Sequence, residues 1–219
     1  MLELVIFDMD GLLIDTEPYW QATEREVFAD YGIEISEEMQ HATFGLRTDE
    51  QIHYWYNYKP WKNPDFKEVE NRYNQVIMKF FEEEARLMEG AEYILNFFEG
   101  INIKMALASS SNMDLINTFV DRFNFREKFS ILYSAESVEY GKPHPAVYLA
   151  TAKQMKVHPA SCLAFEDSLN GVIAAKAAKM RVVAVPDKGH YEFQGYGIAD
   201  LKLKSLNEFD QEKLESLIL

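Results

Sequence analysis

Two aspartates stand at the end of an apolar run near the N-terminus, Val5-Ile6-Phe7-Asp8-Met9-Asp10-Gly11. The run is typical of a buried strand, and in open parallel α/β sheets ligands bind where the strands end. Carboxylates at i and i+2 lie on the same side of an extended chain, and Gly11 allows a sharp turn behind them. Such a pair suits cation binding, nucleophilic attack or proton transfer, although two solvated turn aspartates fit this short motif as well.

Three other segments carry polar side chains where an apolar strand ends or a turn begins. They are Ser109, Ser110, Ser111 and Asn112 after a predicted strand at 104–109, Lys142 in the turn 141–145, and Glu166 with Asp167 after a strand tip at 163–165. Hydroxyls and helix-start amides bind phosphate, and carboxylates bind hard cations. Each segment alone has an ordinary explanation, as a helix start or a solvated turn. Together at one sheet edge they match metal-assisted phosphoryl transfer.

The sequence pattern divides the chain into a helical insert and an α/β core. From 16 to 87 the pattern is helical and charged, and Thr16 is placed to cap the first helix. After Gly90 strands alternate with helices, which indicates parallel βαβ units, and the first strand belongs with them. We therefore predict a discontinuous α/β core formed by 1–15 and 88–219, with an all-helical cap domain inserted as 16–87.

Composition restricts the class of protein. With 219 residues, 47% of them apolar and 14% aromatic, the chain is long and apolar enough to bury a sizeable core. The formal net charge of −14 disfavours nucleic acid and anionic membranes as partners. Cys162 is the only cysteine, which excludes an internal disulfide framework. The N-terminus does not read as a signal peptide, so we expect a cytoplasmic protein that does not require a partner chain and can be a monomer.

Four motifs resemble those of the haloacid dehalogenase superfamily. They are F-D-M-D-G-L-L-I-D-T-E-P at 7–18, L-A-S-S-S at 107–111, G-K-P-H-P at 141–145 and F-E-D-S-L-N-G at 165–171. The chain is most similar to the β-phosphoglucomutase-like branch, and within it to bacterial sugar phosphatases of the 2-deoxyglucose-6-phosphatase and hexitol phosphatase type. The resemblance covers nearly the whole chain and implies a Rossmann-like parallel-sheet core with an inserted helical cap.

The resemblance also implies catalytic roles for residues of the first and fourth motifs. Asp8 would be the nucleophile that forms an aspartyl-phosphate, and Asp10 would be the general acid and base. Mg²⁺ would be held by Asp8 and Asp167, by the backbone carbonyl of Asp10, and by Glu166 directly or through water. This division is chemically sensible, because a carboxylate beside a cation stays ionised while one facing a leaving group can exchange a proton.

The second and third motifs would bind the phosphoryl group. Ser109 and Lys142 take this role by resemblance, and Ser110, Ser111 and Asn112 are expected beside them as substrate-binding residues. The ammonium group of Lys142 would offset part of the negative charge that the carboxylates and the phosphate bring together.

The cap is expected to determine substrate specificity, because the core binds only a phosphoryl group. Arg47 lies in a loop between cap helices and is expected to contact the substrate. The alternative is a surface arginine paired with Asp49. Trp20 is expected to line the pocket, and it occupies the position of a histidine that the family's mutase uses, which favours a hydrolase over a mutase.

The sequence therefore predicts a Mg²⁺-dependent hydrolase of a hexose or hexitol phosphate monoester, with a small phosphorylated sugar as its partner. The nearest rival is a β-phosphoglucomutase-type mutase, which would use a sugar bisphosphate to turn its substrate into an isomer. A rival from another class is a non-catalytic phosphosugar-binding protein.

Overall fold

The computed structural model describes residues 1–218. The strands are β1 (Leu4–Phe7), β2 (Ile14–Asp15), β3 (Arg86–Leu87), β4 (Lys104–Ser109), β5 (Ile131–Ser134), β6 (Cys162–Glu166), β7 (Arg181–Ala184) and β8 (Leu201–Lys202). The helices are α1 (Glu17–Ala29), α2 (Glu37–Gln40), α3 (Thr48–Tyr58), α4 (Phe66–Glu83), α5 (Ala91–Gly100), α6 (Met113–Arg122), α7 (Ala146–Met155), α8 (Leu169–Ala177) and α9 (Gln211–Ile218). Among these residues no helix is both long enough and apolar enough to cross a membrane.

A six-stranded parallel sheet forms the core, in the order β5-β4-β1-β6-β7-β8. In the central register Phe7 of β1 lies beside Leu107 of β4 and Phe165 of β6. The residues that follow these three strands therefore emerge at the same sheet edge. This arrangement confirms the predicted α/β class with a Rossmann-like parallel sheet.

Both faces of the sheet are covered, so its central strands are apolar throughout rather than alternating. Leu4 and Ile6 pack into one hydrophobic cluster, whereas Val5 and Phe7 pack into the cluster on the opposite face, and all four are fully buried. The second cluster is aromatic around Phe165, whose ring lies 5.1 Å from that of Phe7, 5.7 Å from that of Phe98 and 5.0 Å from that of Phe209.

Helices α1 to α4 lie between the short strands β2 and β3, which pair antiparallel with Ile14 opposite Leu87. This two-stranded ribbon carries the chain from the core into the cap and back. The cap has its own hydrophobic cluster, in which Trp55 of α3 packs with Phe28 and Tyr73. The bounds of the two domains stay a prediction from the sequence.

Phe165→Ala should destabilise the protein strongly, because it removes a fully buried ring that packs against three others. We expect the free energy of unfolding to fall by about 3–5 kcal/mol, measured by urea denaturation. Phe193→Ala is the matched control, since that ring is 56% exposed, and its effect should stay within about 0.5 kcal/mol. Equal losses in the two variants would contradict the packing described here.

Candidate active site

Asp8 and its neighbours form a tight turn directly after β1. Gly11 has a φ of +71°, a conformation that side chains rarely adopt, and a Cβ there would collide with the carboxylate of Asp167. Glycine at this position therefore lets the loop after β1 approach the loop after β6. The buried side chains of Asp8 and Asp167 lie close together as a result.

Lys142 connects the two acidic loops from within the protein. Its Nζ donates to Asp8 Oδ1 at 2.7 Å, to Glu166 Oε1 at 2.6 Å and to the carbonyl oxygen of Ala108 at 3.2 Å. Burial by itself lowers the pKa of the ammonium group, but the charges of Asp8 and Glu166 outweigh it and raise that pKa above its usual range. Lys142 is therefore a fixed positive charge against Asp8.

Glu166 is fully buried, and its carboxylate is already engaged by protein groups. Besides Lys142, the hydroxyl of Tyr148 donates to Oε1 and that of Ser168 donates to Oε2 at 3.3 Å. Gly171 faces it, and a Cβ at that position would collide with the carboxylate. Tyr148 could not be predicted as a site residue, because its place in this network depends on how α7 packs against the sheet.

Three acidic groups form a cluster that fits a hard cation. One carboxylate oxygen each of Asp8, Glu166 and Asp167 lies within 4.8 Å of the others. Burial raises the pKa of Asp8 to about 7, although the ammonium group of Lys142 opposes this rise, and burial together with Asp8 and Glu166 raises the pKa of Asp167 well above its usual range. Oxygen donors with excess negative charge are what a divalent cation of the Mg²⁺ or Ca²⁺ kind binds.

The carboxylate of Asp10 accepts four hydrogen bonds. Thr16 Oγ1 and Trp20 Nε1 each donate to Oδ1 at 2.9 Å, while Ser109 Oγ and Ser111 Oγ donate to Oδ2 at 3.1 and 2.7 Å. The expected capping role of Thr16 is wrong, because its side chain makes no cap bond and contacts Asp10 instead. Four donors hold the carboxyl group of Asp10 in one orientation.

The residues of the serine motif, 109–112, differ in their contacts, and only some of them line the cavity. Ser109 is fully buried, and its hydroxyl is used by Asp10 and by the amide of Ser111, so it does not line the cavity above the site. Ser110 and Ser111 do line that cavity. Asn112 does not: it caps α6 by accepting from the amide of Leu115 at 2.9 Å, and it donates to Asn74 of the cap at 3.0 Å.

Arg47 does not line this cavity but an adjoining one, which shares Thr48 and Ser110 with it. Its expected contact with the substrate stays a prediction. Its guanidinium group binds Asp49 at 2.9 and 3.0 Å, which is the alternative that the sequence left open. It also donates to the carbonyl oxygens of Ala135 at 3.0 Å and Val138 at 2.8 Å, both in the core. Arg47 thus links cap and core beside the site.

The cavity between cap and core encloses about 670 Å³, including the space at its mouth. On the core side it is lined by Asp8, Asp10, Ser110, Ser111, Lys142 and Asp167. On the cap side its polar lining comes from Glu17, Gln21, Glu24, Gln40, Thr43 and Gln51, together with Trp20. Trp20 therefore lies where the sequence predicts, at the boundary of the two sides.

Comparison with known proteins identifies the family. Residues 5–185 match the family model of haloacid dehalogenase-like hydrolases. The chain is 39% identical over 210 residues to hexitol phosphatase B of Escherichia coli strain K12, an alignment that covers 95% of each chain. The chain belongs to the haloacid dehalogenase-like hydrolase family. The resemblance read from the four motifs is confirmed.

Solved structures of this hydrolase family share the fold. CbbY from Rhodobacter sphaeroides, in complex with phosphate, superposes with a TM-score of 0.88 at 25% identity over all of both chains. A β-phosphoglucomutase from Clostridium difficile gives 0.87 at 25% identity, covering 98% of this chain and 96% of that one.

Glu17 is a site residue that the sequence did not single out. It starts α1, lines the cavity and accepts a hydrogen bond from Gln21 Nε2 at 2.9 Å. Burial, the largest influence, raises its pKa to about 7. Its position just after the first motif was the available signal, but an acidic residue in the first turn is also ordinary helix chemistry.

Glu17→Gln should change how stability depends on pH. A carboxyl whose pKa is raised from 4.5 to about 7 binds its proton more tightly when folded, so it costs the wild type stability as pH rises between those values. Glutamine does not titrate, so the free energy of unfolding of the variant relative to wild type should increase by about 3 kcal/mol over this range and stay constant above it.

Urea denaturation at a series of pH values measures this difference, with Glu26→Gln as control. Glu26 is an exposed glutamate on the same helix and does not line the cavity. A difference between Glu17→Gln and wild type that does not change with pH would show that Glu17 is solvated like Glu26.

Proposed function

We propose that the protein is a Mg²⁺-dependent phosphatase that hydrolyses a small sugar-phosphate monoester, a hexose or hexitol phosphate, through an aspartyl-phosphate. The observation that carries this proposal is the pairing of two carboxylates with different surroundings. Asp8 is buried against Lys142 and the acidic cluster, while Asp10 is held by hydroxyl and indole donors at the same cavity. The 39% identity to hexitol phosphatase B supports the substrate class.

In the first step a carboxylate oxygen of Asp8 attacks phosphorus, and the bond between phosphorus and the sugar oxygen breaks. Asp10, protonated at this stage, gives its proton to that leaving oxygen. In the second step water attacks the phosphorus of the aspartyl-phosphate and gives a proton to Asp10, which releases inorganic phosphate and regenerates Asp8. Trp20, Ser109 and Ser111 orient Asp10 for both proton transfers.

The surrounding residues supply charge and shape. Lys142 keeps Asp8 oriented and offsets the charge of the incoming phosphoryl group, and Ser110 and Ser111 offer it hydroxyl donors. Mg²⁺ would be held by Asp8 and Asp167, by the carbonyl oxygen of Asp10 and, in support, by Glu166. When bound, the ion supplies a positive charge that stabilises the negative oxygens of the transferring group.

The mutase stays a second candidate, because the fold superposes on a β-phosphoglucomutase with a TM-score of 0.87. It is distinguished by the product, which is an isomer rather than free phosphate. The non-catalytic alternative is distinguished by binding of a sugar phosphate without release of phosphate. The monomeric state and the cytoplasmic location stay predictions from the sequence.

Asp8→Asn should reduce phosphate release to the background rate, because an amide oxygen is a poor nucleophile. Circular dichroism and thermal unfolding should show that the variant is folded. Asp15→Asn, at an exposed carboxylate on β2, is the control and should keep wild-type activity. Turnover by Asp8→Asn above a tenth of the wild-type rate would remove Asp8 from the nucleophile role.

Trp20→Phe should lower kcat about 10-fold, because it removes one of the hydrogen bonds that orient the carboxyl group of Asp10. The matched control is Trp61→Phe in the cap. The Nε1 of Trp61 is buried without a hydrogen-bond partner, so this change removes an indole ring but no hydrogen bond. Steady-state kinetics with one sugar phosphate compares the two variants. Equal values of kcat would mean that the N–H group of Trp20 does not position Asp10.

A further inference from the structure

The cavity is lined by one cation among several carboxylates. Within residues 1–218, Lys142 is the only lysine or arginine that lines the cavity, and it lies on the core side between Asp8 and Glu166. The cap side is lined by Glu17 and Glu24 and by three glutamines. Because carboxylates also line the core side, the protein offers a ligand in this space a single positive charge.

The nearby cap arginines do not supply a second cation to this space. Arg47 is bound by Asp49 and by two core carbonyl oxygens outside the cavity. Arg25 donates to Gln40 Oε1 at 2.9 Å and does not itself line the cavity. Above pH 7, where Glu17 is mainly ionised, a second phosphate group on the cap side would face Glu17 and Glu24 without a counter-charge, and like charges in such a site cost several kcal/mol.

Glu17 and Glu24 differ in how many of their acceptor positions are occupied by protein groups. Glu24 is nearly saturated, since it accepts from Trp55 at 2.7 Å, Thr43 at 2.7 Å and Gln40 at 2.9 Å. Among the described residues, Glu17 accepts only from Gln21. A carboxylate has about four acceptor positions, so most of those on Glu17 are available to a ligand.

The cap side of the cavity is suited to binding hydroxyl groups. A sugar or polyol hydroxyl donates to a carboxylate and accepts from a glutamine amide, which is the pair that Glu17 and Gln21 present one helical turn apart. Trp20 lies between them in α1 and contacts Asp10. Helix α1 therefore carries both the indole group that contacts Asp10 and the two polar side chains, Glu17 and Gln21, that line the cavity.

We propose that the cavity selects monophosphates whose remaining part is an uncharged polyhydroxyl chain or ring, and that it excludes sugar bisphosphates, with Glu17 and Gln21 as the specificity-determining residues. This inference rests on the proposed phosphatase function and narrows its substrate class. It also disfavours the mutase, because a cycle that uses a sugar bisphosphate needs this cavity to accept a second phosphate group.

The test compares three phosphate esters by their rates of phosphate release: glucitol 6-phosphate, glucose 1,6-bisphosphate and p-nitrophenyl phosphate. For the wild type, kcat/KM for glucitol 6-phosphate should exceed that for the bisphosphate by about 100-fold, the cost of an unpaired like charge. Glu17→Gln should raise KM for glucitol 6-phosphate about 10-fold, because the hydroxyl group of the ligand would then donate to a neutral amide oxygen, a weaker acceptor than a carboxylate. The KM for p-nitrophenyl phosphate, which has no hydroxyl chain, should change less than about 2-fold.

Two further variants make the comparison specific. Glu26→Gln, at the exposed glutamate of α1, is the matched control and should leave KM and kcat/KM for all three substrates unchanged. Glu17→Lys replaces the carboxylate by a cation and should raise kcat/KM for the bisphosphate relative to glucitol 6-phosphate by about 10-fold or more. Activity towards p-nitrophenyl phosphate reports that each variant is folded and catalytically competent.

The possible failures are distinguishable. If no ester releases phosphate, the proposed phosphatase function is overturned and this inference with it. If p-nitrophenyl phosphate is hydrolysed but the bisphosphate is used as well as glucitol 6-phosphate, the phosphatase stands and the inference is overturned. The inference is also overturned if Glu17→Gln has the same KM values as Glu26→Gln. It is overturned as well if the bisphosphate supports isomerisation of β-glucose 1-phosphate.

Discussion

The site depends on holding several charged side chains where water is largely excluded. Asp8, Glu166 and Asp167 are all buried, and Lys142 is buried with them between the first two. Removing such groups from water is costly unless each is paired and hydrogen-bonded. The fold meets this requirement by bringing the loops after β1 and β6 to one sheet edge, with glycine at 11 where a side chain would collide with a carboxylate.

Helix α1 couples the chemistry to recognition. It begins just after the ribbon strand β2. Its residue Trp20 donates a hydrogen bond to Asp10, and its residues Glu17 and Gln21 line the cavity. The cap is held over the core by polar contacts, among them Ser110 Oγ to the carbonyl oxygen of Gly45 and the amide of Gly141 to Glu50. Since these contacts surround the cavity, the cap positions α1 relative to the nucleophile.

The sequence predicted the elements whose patterns are local and long enough to read. The strand at 104–109 has the predicted bounds, and the charged ends of the central strands lie close together as expected. The ribbon strands Ile14–Asp15 and Arg86–Leu87 were not predicted, since two residues carry no periodicity and their pairing joins distant segments. The contacts of Arg47 with the core were not predicted for a similar reason, because its core partners are backbone carbonyl oxygens far along the chain, which leave no trace in side-chain types.

The measurement that tests the central claim most directly is phosphate release from a hexitol phosphate, such as glucitol 6-phosphate, with Mg²⁺ and after removal of metal with EDTA. The account predicts turnover with Mg²⁺, loss of turnover with EDTA and recovery when Mg²⁺ is added back, because the acidic cluster and the phosphoryl group need a cation between them. An unchanged rate after metal removal, or no release under either condition, would contradict it.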